Sequence, residues 1–452
     1  MKVLLINPLI RAHDIPRNFP LGLGYIAAVL LKEGHKVDVL DINADRLEKN
    51  EVMERIDNYD IFGIGGLVTT YNYVSWLISE IKKKQEGKIL VGGGLSVINE
   101  LMFKAGADII VDKEGELTIV DLLNNLDNLN FVKGIYYKDK NGKIIKNEER
   151  DLIQNLDEIP FPAWHLFPIE TYIKAPVLGT GSLRKMNILF GRGCPFRCTF
   201  CWHNFGMSTR LRSVDNVIKE MKILMKDYNI QYFAFTDELF TVNKSKVLEF
   251  CDRVKELKIK WACASRVNTI SEYMVRAMKE AGCNHIAFGI ESGSQRILNN
   301  MNKGTTVEQG IKAVRITQRA GIRAHTSFII GTPGETPESI WETVEFCKKA
   351  KPKLRVELFF MTPYPGSDLW DYAIKKQKIK DEEDFIKKLG DAKDFTINLT
   401  DISDEKLIEL KNIAEKKCQP NFIYWGLDYY KHFGLKNALK NGTKRLFKKL
   451  KK

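Results

Sequence analysis

Along the first 128 positions, apolar and polar residues alternate between two rhythms. Short apolar runs at 2–7, 36–41, 61–66, 88–91 and 107–111 have strand length, and between them the repeat becomes helical near 21–33, 52–58, 73–84, 96–104 and 116–125. Five such units predict an open, parallel, doubly wound sheet, which binds ligands beyond the C-terminal ends of its strands. The rhythm breaks at 131–184. Apolar runs at 134–138 and 143–146 flank Asn141-Gly142, a hairpin signal, and the prolines of 159–168 exclude regular helix or central strand, so that stretch reads as a crossover. From residue 185 the alternation returns, with strands expected at 186–191, 232–237, 261–266, 285–291, 324–331 and 355–361. Six parallel units fit a full or partial βα barrel, whose chemistry sits at the C-terminal strand ends.

The expected fold class is therefore α/β. A flavodoxin-like sheet (1–128) is followed by a hairpin and Pro-rich linker (129–184), a TIM-like partial barrel (185–362) and a helical extension with a basic tail (363–452). Composition agrees with this, since 44% hydrophobic and 28% charged residues describe a globular chain of two or three domains. No apolar run approaches the roughly 20 residues that span a bilayer. The start, Met1-Lys2-Val3-Leu4-Leu5-Ile6-Asn7-Pro8, reads as a strand rather than a signal peptide, which predicts a cytoplasmic protein. Of the net charge of +13, nine Lys or Arg with no acid fall between 431 and 452. Leu435, Leu439, Leu446 and Phe447 stand at helical spacing among those lysines, so the tail can lie on an anionic membrane or remain a solvated helix. No aromatic-rich module accompanies it, and nucleic acid is not an expected partner.

Chemistry concentrates in the cysteines. Eight in a chain this long do not make a disulfide scaffold, and Cys194, Cys198 and Cys201 lie together in a C-x3-C-x2-C loop after the first barrel strand. Such a loop can wrap three thiolates around one face of an iron–sulfur cubane and leave the fourth iron open, with Gly191 and Gly193 allowing close backbone approach. The alternative is a Cys3His zinc site completed by His203. Cys251, Cys263, Cys283, Cys347 and Cys418 read as small buried hydrophobes. Polar groups end the later strands: Asp237 and Glu238 the second, Arg266 the third, Glu291 and Ser292 the fourth, Gly331-Thr332-Pro333-Gly334-Glu335-Thr336 the fifth. Helix capping, a turn or a structural ion pair would also account for these residues.

The loop, with Phe200 just before its last cysteine, resembles the radical S-adenosylmethionine (SAM) superfamily. By that resemblance Cys194, Cys198 and Cys201 hold a 4Fe-4S cluster, and SAM chelates the open iron through its amino and carboxylate groups. One electron then cleaves the sulfonium into methionine and a 5′-deoxyadenosyl radical. Phe200 would touch the adenine edge unless it only packs. Asp237, Glu238, Glu291 and Ser292 would contact SAM or substrate, since a carboxylate accepts from ribose hydroxyls or an ammonium. Arg266 would take the SAM carboxylate, and the Gly331–Pro333 turn would lie against the adenine. Tyr364-Pro365-Gly366-Ser367 matches the usual barrel exit.

The first 128 residues resemble the cobalamin-binding domain fused to many of these enzymes. The matching features are Pro20-Leu21-Gly22-Leu23-Gly24-Tyr25, Gly63-Ile64-Gly65-Gly66, Val91-Gly92-Gly93-Gly94 and Lys113-Glu114-Gly115-Glu116. The D-x-H-x-x-G motif that supplies a cobalt-ligating His elsewhere is absent, and His35 precedes a strand. The resemblance thus implies cobalt without a His ligand, its lower face near Leu67, Val68 and Thr69, with Gly92 and Gly93 leaving room for the macrocycle; an empty structural domain is the other reading. Together these features predict a cobalamin-dependent radical SAM enzyme that methylates an unactivated carbon. Its substrate would be a small molecule or lipid, and its electron donor a flavodoxin or ferredoxin. Radical rearrangement, cyclisation or oxidation without methyl transfer is one alternative; a non-catalytic iron–sulfur or zinc protein is another.

Overall fold

The computed structural model describes residues 1–175, 183–391 and 393–420. The tail expected to touch a membrane lies outside them. Among the described residues no helix is long and apolar enough to cross a membrane.

The first sheet contains β1 (Lys2–Asn7), β2 (Lys36–Asp41), β3 (Ile61–Gly66), β4 (Lys88–Gly93), β5 (Ile109–Val111), β6 (Ile135–Lys138) and β7 (Ile144–Lys146). They lie in the order β2-β1-β3-β4-β5-β6-β7. The first five are parallel, as the two-rhythm pattern predicts, and the order reverses at β1, which places the ligand crevice beyond β1 and β3. The Asn141-Gly142 hairpin does more than interrupt the pattern. It adds β6 and β7 antiparallel to the edge at β5, with Ile135 buried opposite Val111. A parallel partner needs a long crossover, whereas an antiparallel one needs only a turn, so a short hairpin can extend the sheet only in this sense.

The second sheet is parallel throughout. Its strands are β8 (Lys185–Ile188), β11 (Tyr232–Phe235), β12 (Lys260–Ser265), β13 (Cys283–Glu291), β14 (Arg323–Ile330) and β15 (Glu357–Phe360). A short antiparallel pair, β9 (Gly191–Arg192) with β10 (Arg210–Leu211), brackets the cysteine loop. The order β15-β14-β13-β12-β11-β8 leaves β15 and β8 as unpaired edges, so the barrel is partial. Helices cover its outer face over a core that includes Phe190, Phe235, Phe240, Phe250 and Trp261, stacked edge-to-face or tilted. Each of the helices Val214–Tyr228, Glu272–Glu280 and Val307–Arg319 starts on a Ser or Thr whose side chain accepts from a first-turn N–H.

Beyond β15 the chain returns to the first sheet. Trp370 and Phe385 share one core with Leu4 and Ile6, Tyr71 donates to Glu383 at 3.0 Å, and Asn72 donates to the Lys387 carbonyl at 2.8 Å. The helix Asp404–Cys418 instead packs Leu407 and Leu410 onto the barrel core.

Candidate active site

The cysteine loop is fixed from several sides. Gly193 sits at φ +88°, where a Cβ would stand 2.2 Å from the Ser208 carbonyl oxygen, so the approach to Cys194 requires glycine. Its N–H donates to Glu238, an exposed carboxylate in the barrel mouth. Further along, Thr199 N–H donates to Met301 at 3.0 Å, Asn302 donates to the Arg197 carbonyl at 2.7 Å, and Leu369 N–H donates to Thr199 at 2.9 Å. Cys198 is buried, and Cys194 and Cys201 are half-buried. The Cys201 thiol, helped by Lys303 and Arg266, stabilises a thiolate at Cys198 and pulls its pKa down to about 5, while the shared proton holds Cys201 high.

Arg266 lies over this loop. Its Nη1 is 3.2 Å from Cys198 Sγ and its guanidinium carbon 3.8 Å from the Phe196 ring centre, while Nε and Nη2 are buried without a partner. No barrel acid pairs with it among the described residues. Glu291 adopts a left-handed φ of +68° at an irregularity in β13 and accepts from Lys303 Nζ at 2.7 Å, both side chains being about nine-tenths buried. Lys303 lies 5.7 Å from the Phe200 ring centre. It carries no motif of its own, and sequence reasoning missed it.

Several strand-end groups turn instead toward the backbone. Asp237 accepts from the Phe190 N–H at 3.0 Å and also from Gly191, and burial pushes its carboxyl up to about 7. The Ser292 hydroxyl accepts from Ser294 N–H at 3.1 Å. Gly331, at φ +100°, and Thr332 donate their N–H groups to Glu335, whose buried carboxyl is also raised to about 7. The Pro333 carbonyl accepts from Asn300 at 3.4 Å. These contacts hold strand-end loops in place.

In the first sheet, Leu67 is a half-exposed apolar side chain after β3, with Val68 buried and Thr69 half-buried beside it. Gly92 is half-buried and Gly93 exposed at the end of β4, where a Cβ on Gly93 would approach the Gly66 carbonyl to 3.2 Å. The Lys113–Glu116 stretch faces elsewhere. Glu114 accepts from Arg192 at 2.8 Å, from Arg210 at 2.8 Å and from the Ile153 N–H at 2.8 Å, and Glu116 pairs with Arg192. This stretch therefore joins the first sheet to the β9–β10 pair flanking the cysteines.

Three cysteines on one loop fit an iron–sulfur cluster, and His203, which a Cys3His zinc site would need as fourth ligand, has its Nε2 2.8 Å from the Phe196 carbonyl. The unpartnered nitrogens of Arg266 suit a carboxylate such as that of SAM, and the open glycines with exposed Leu67 suit a flat macrocycle.

A doubly wound sheet set against a partial barrel, with three cysteines in the first barrel loop, defines a cofactor-using α/β enzyme. Residues 188–347 match the family described as Radical SAM superfamily, and residues 16–123 match the B12 binding domain. An uncharacterized methyltransferase of Pyrococcus horikoshii is 38% identical over 391 residues, 83% of each chain. An anaerobic magnesium-protoporphyrin IX monomethyl ester cyclase of Rubrivivax gelatinosus is 29% identical over 85% of this chain and 72% of its own. Among solved structures, the radical S-adenosylmethionine methyltransferase TsrM of Kitasatospora setae, with cobalamin and a [4Fe-4S] cluster bound, aligns with a TM-score of 0.70 at 18% identity. It covers 84% of this chain and 75% of TsrM. The chain belongs to the radical SAM superfamily, in the branch that carries a B12 binding domain, and is an enzyme.

Proposed function

We propose that the protein is a cobalamin-dependent radical SAM methyltransferase acting on an unactivated carbon. One observation carries this reading: Arg266 lies 3.2 Å from Cys198 Sγ with Nε and Nη2 buried and unpartnered, beside the buried Glu291–Lys303 pair, a donor set that fits the SAM carboxylate and ammonium at the cysteine loop. When bound, the cluster supplies the electron that cleaves SAM, and cobalamin supplies the methyl group.

In this reading Cys194, Cys198 and Cys201 hold the cluster and Arg266 takes the SAM carboxylate. Glu291, oriented by Lys303, accepts from the SAM ammonium or ribose. Phe200 and the Gly331–Pro333 turn border the adenine, and Glu238 faces SAM or substrate from the mouth. Asp237 and Ser292 support the loops that carry these groups. Leu67, Val68 and Thr69, with Gly92 and Gly93, receive the cobalamin. A flavodoxin or ferredoxin supplies the electron, the substrate is a small molecule, and the protein works in the cytoplasm. The cyclase among its relatives keeps a second reading open, radical cyclisation or rearrangement without methyl transfer.

The test begins with anaerobic production in a cobalamin-supplied host, then cobalt and iron analysis and product assay. About four irons and one cobalt per chain, with S-adenosylhomocysteine formed alongside 5′-deoxyadenosine, are expected. 5′-Deoxyadenosine without S-adenosylhomocysteine would move the assignment to the second reading.

A further inference from the structure

A cation buried without an acid needs negative charge from elsewhere. Arg266 is 6% exposed, and among the described residues the acceptor its guanidinium reaches is the Cys198 sulfur, 3.2 Å from Nη1. A sulfur that ligates iron does so as a thiolate, so this contact is charge-assisted. It occupies one end of the guanidinium and leaves the edge formed by Nε and Nη2 without a partner. Two adjacent N–H groups are what a carboxylate takes in a bidentate fork. The sulfur and a carboxylate therefore do not compete for the same nitrogens.

The surroundings hold the guanidinium at that sulfur. It lies 3.8 Å from the ring centre of Phe196, which stands in the cysteine loop between Cys194 and Cys198. Gly304 adjoins it as well, since a Cβ there would sit 3.6 Å from Nη2. At the backbone, the Arg266 carbonyl accepts from the Thr269 N–H at 3.1 Å, the Thr269 hydroxyl at 2.9 Å and the Ser265 hydroxyl at 3.2 Å. Thr241 Oγ1 lies 2.6 Å from Ser265 Oγ and 2.7 Å from Thr269 Oγ1, so the two hydroxyls are tied together. A long side chain anchored at both ends has little rotamer freedom left to lose.

An iron–sulfur cluster gains one negative charge when it is reduced. A cation and a hydrogen bond beside one of its sulfurs stabilise that state, and more strongly in a buried site than in water. We propose that Arg266, besides meeting the SAM carboxylate, raises the reduction potential of the cluster through the bond from Nη1 to Cys198 Sγ. The inference rests on the reading above, in which Cys194, Cys198 and Cys201 hold that cluster. Removing the guanidinium makes the cluster harder to reduce even where SAM is absent, which separates this role from SAM binding.

The full chain is prepared anaerobically with its cluster and without SAM. Wild type and Arg266→Met are then titrated against redox mediators, with the reduced cluster read by EPR. At equal iron per chain and equal applied potential, the ratio of reduced to oxidised cluster should be at least tenfold lower in Arg266→Met, about 59 mV for one electron. Equal ratios overturn the proposal. If Arg266→Met does not hold the cluster, the wild type decides alone. Made with arginine carrying nitrogen-15 at its two terminal guanidinium nitrogens, its reduced cluster should show a nitrogen-15 coupling in pulsed EPR; no coupling overturns the proposal. Reductive SAM cleavage by the wild type tests the enzyme reading separately. No 5′-deoxyadenosine with the potential still shifted removes the radical chemistry and leaves a tuned cluster, whereas a chain that holds no cluster removes both.

Discussion

Gly193 shows how much of the site hangs on single residues. The sequence places it beside Cys194 and suggests close approach; the structure shows that its neighbour is the Ser208 carbonyl, 2.2 Å from where a Cβ would sit. Gly193→Ala must move backbone rather than a flexible side chain, which costs at least about 1–3 kcal/mol. Iron per chain should drop well below that of wild type in a colorimetric iron assay, and wild-type iron content would refute the argument. Asp237 yields a pH prediction. Its folded pKa is raised to about 7, as is that of Glu335, above the unfolded carboxylate range near 4. Both groups bind a proton more tightly when folded, so their contribution is fully present below about pH 4 and is lost as pH rises through about 7. Asp237→Asn keeps an acceptor for the Phe190 N–H without the ionisation. Urea denaturation from pH 5 to 8 should show a shallower fall in stability for this variant than for wild type; identical slopes would contradict the assignment. Lys303 teaches the opposite lesson, because no local pattern marks a lysine that reaches Glu291 only after the chain turns back past Asn300.

At the scale of elements, short apolar runs located β1, β2 and β3 to the residue, because a parallel strand covered on both faces is apolar at successive positions. What an element docks against is not written there. The hairpin extends the first sheet, and Lys113–Glu116, matched to a cobalamin-domain feature in sequence, makes the ionic joint to β9 and β10. Glu114 is 5% exposed and answers two arginines. Removing it leaves Arg210 buried without an acid and Arg192 with Glu116 alone, so Glu114→Ala should lower stability by about 3–5 kcal/mol in urea unfolding. A loss under about 1 kcal/mol would mean water or another acid replaces it.

Across the whole molecule, the C-terminal extension ties the two sheets together. Trp370 is buried in the core formed by Leu4, Ile6 and Phe62, more than three hundred positions earlier in the chain. Trp370→Ala should cost about 3–5 kcal/mol. Because the core is shared, amide hydrogen exchange should speed up in β1 and β3 as well as near residue 370. Exchange changes confined to 364–390 would show that the extension folds apart from the first sheet.

By itself the sequence determined the α/β class, the parallel strands of both sheets, the cysteine triad and the family resemblance. Those features are local: strand periodicity, thiol spacing within eight residues, and glycines at strand ends. Tertiary structure decided which strand-end acid meets a lysine and which braces a loop, separating Glu291 from Asp237. It also decided that Lys303 partners Glu291, that Glu114 joins the first sheet to the β9–β10 pair, and that His325 and Lys393 meet at Glu357. Each of these pairings links residues at least twelve positions apart, and only the packed chain sets the distance and burial that give such groups their chemistry.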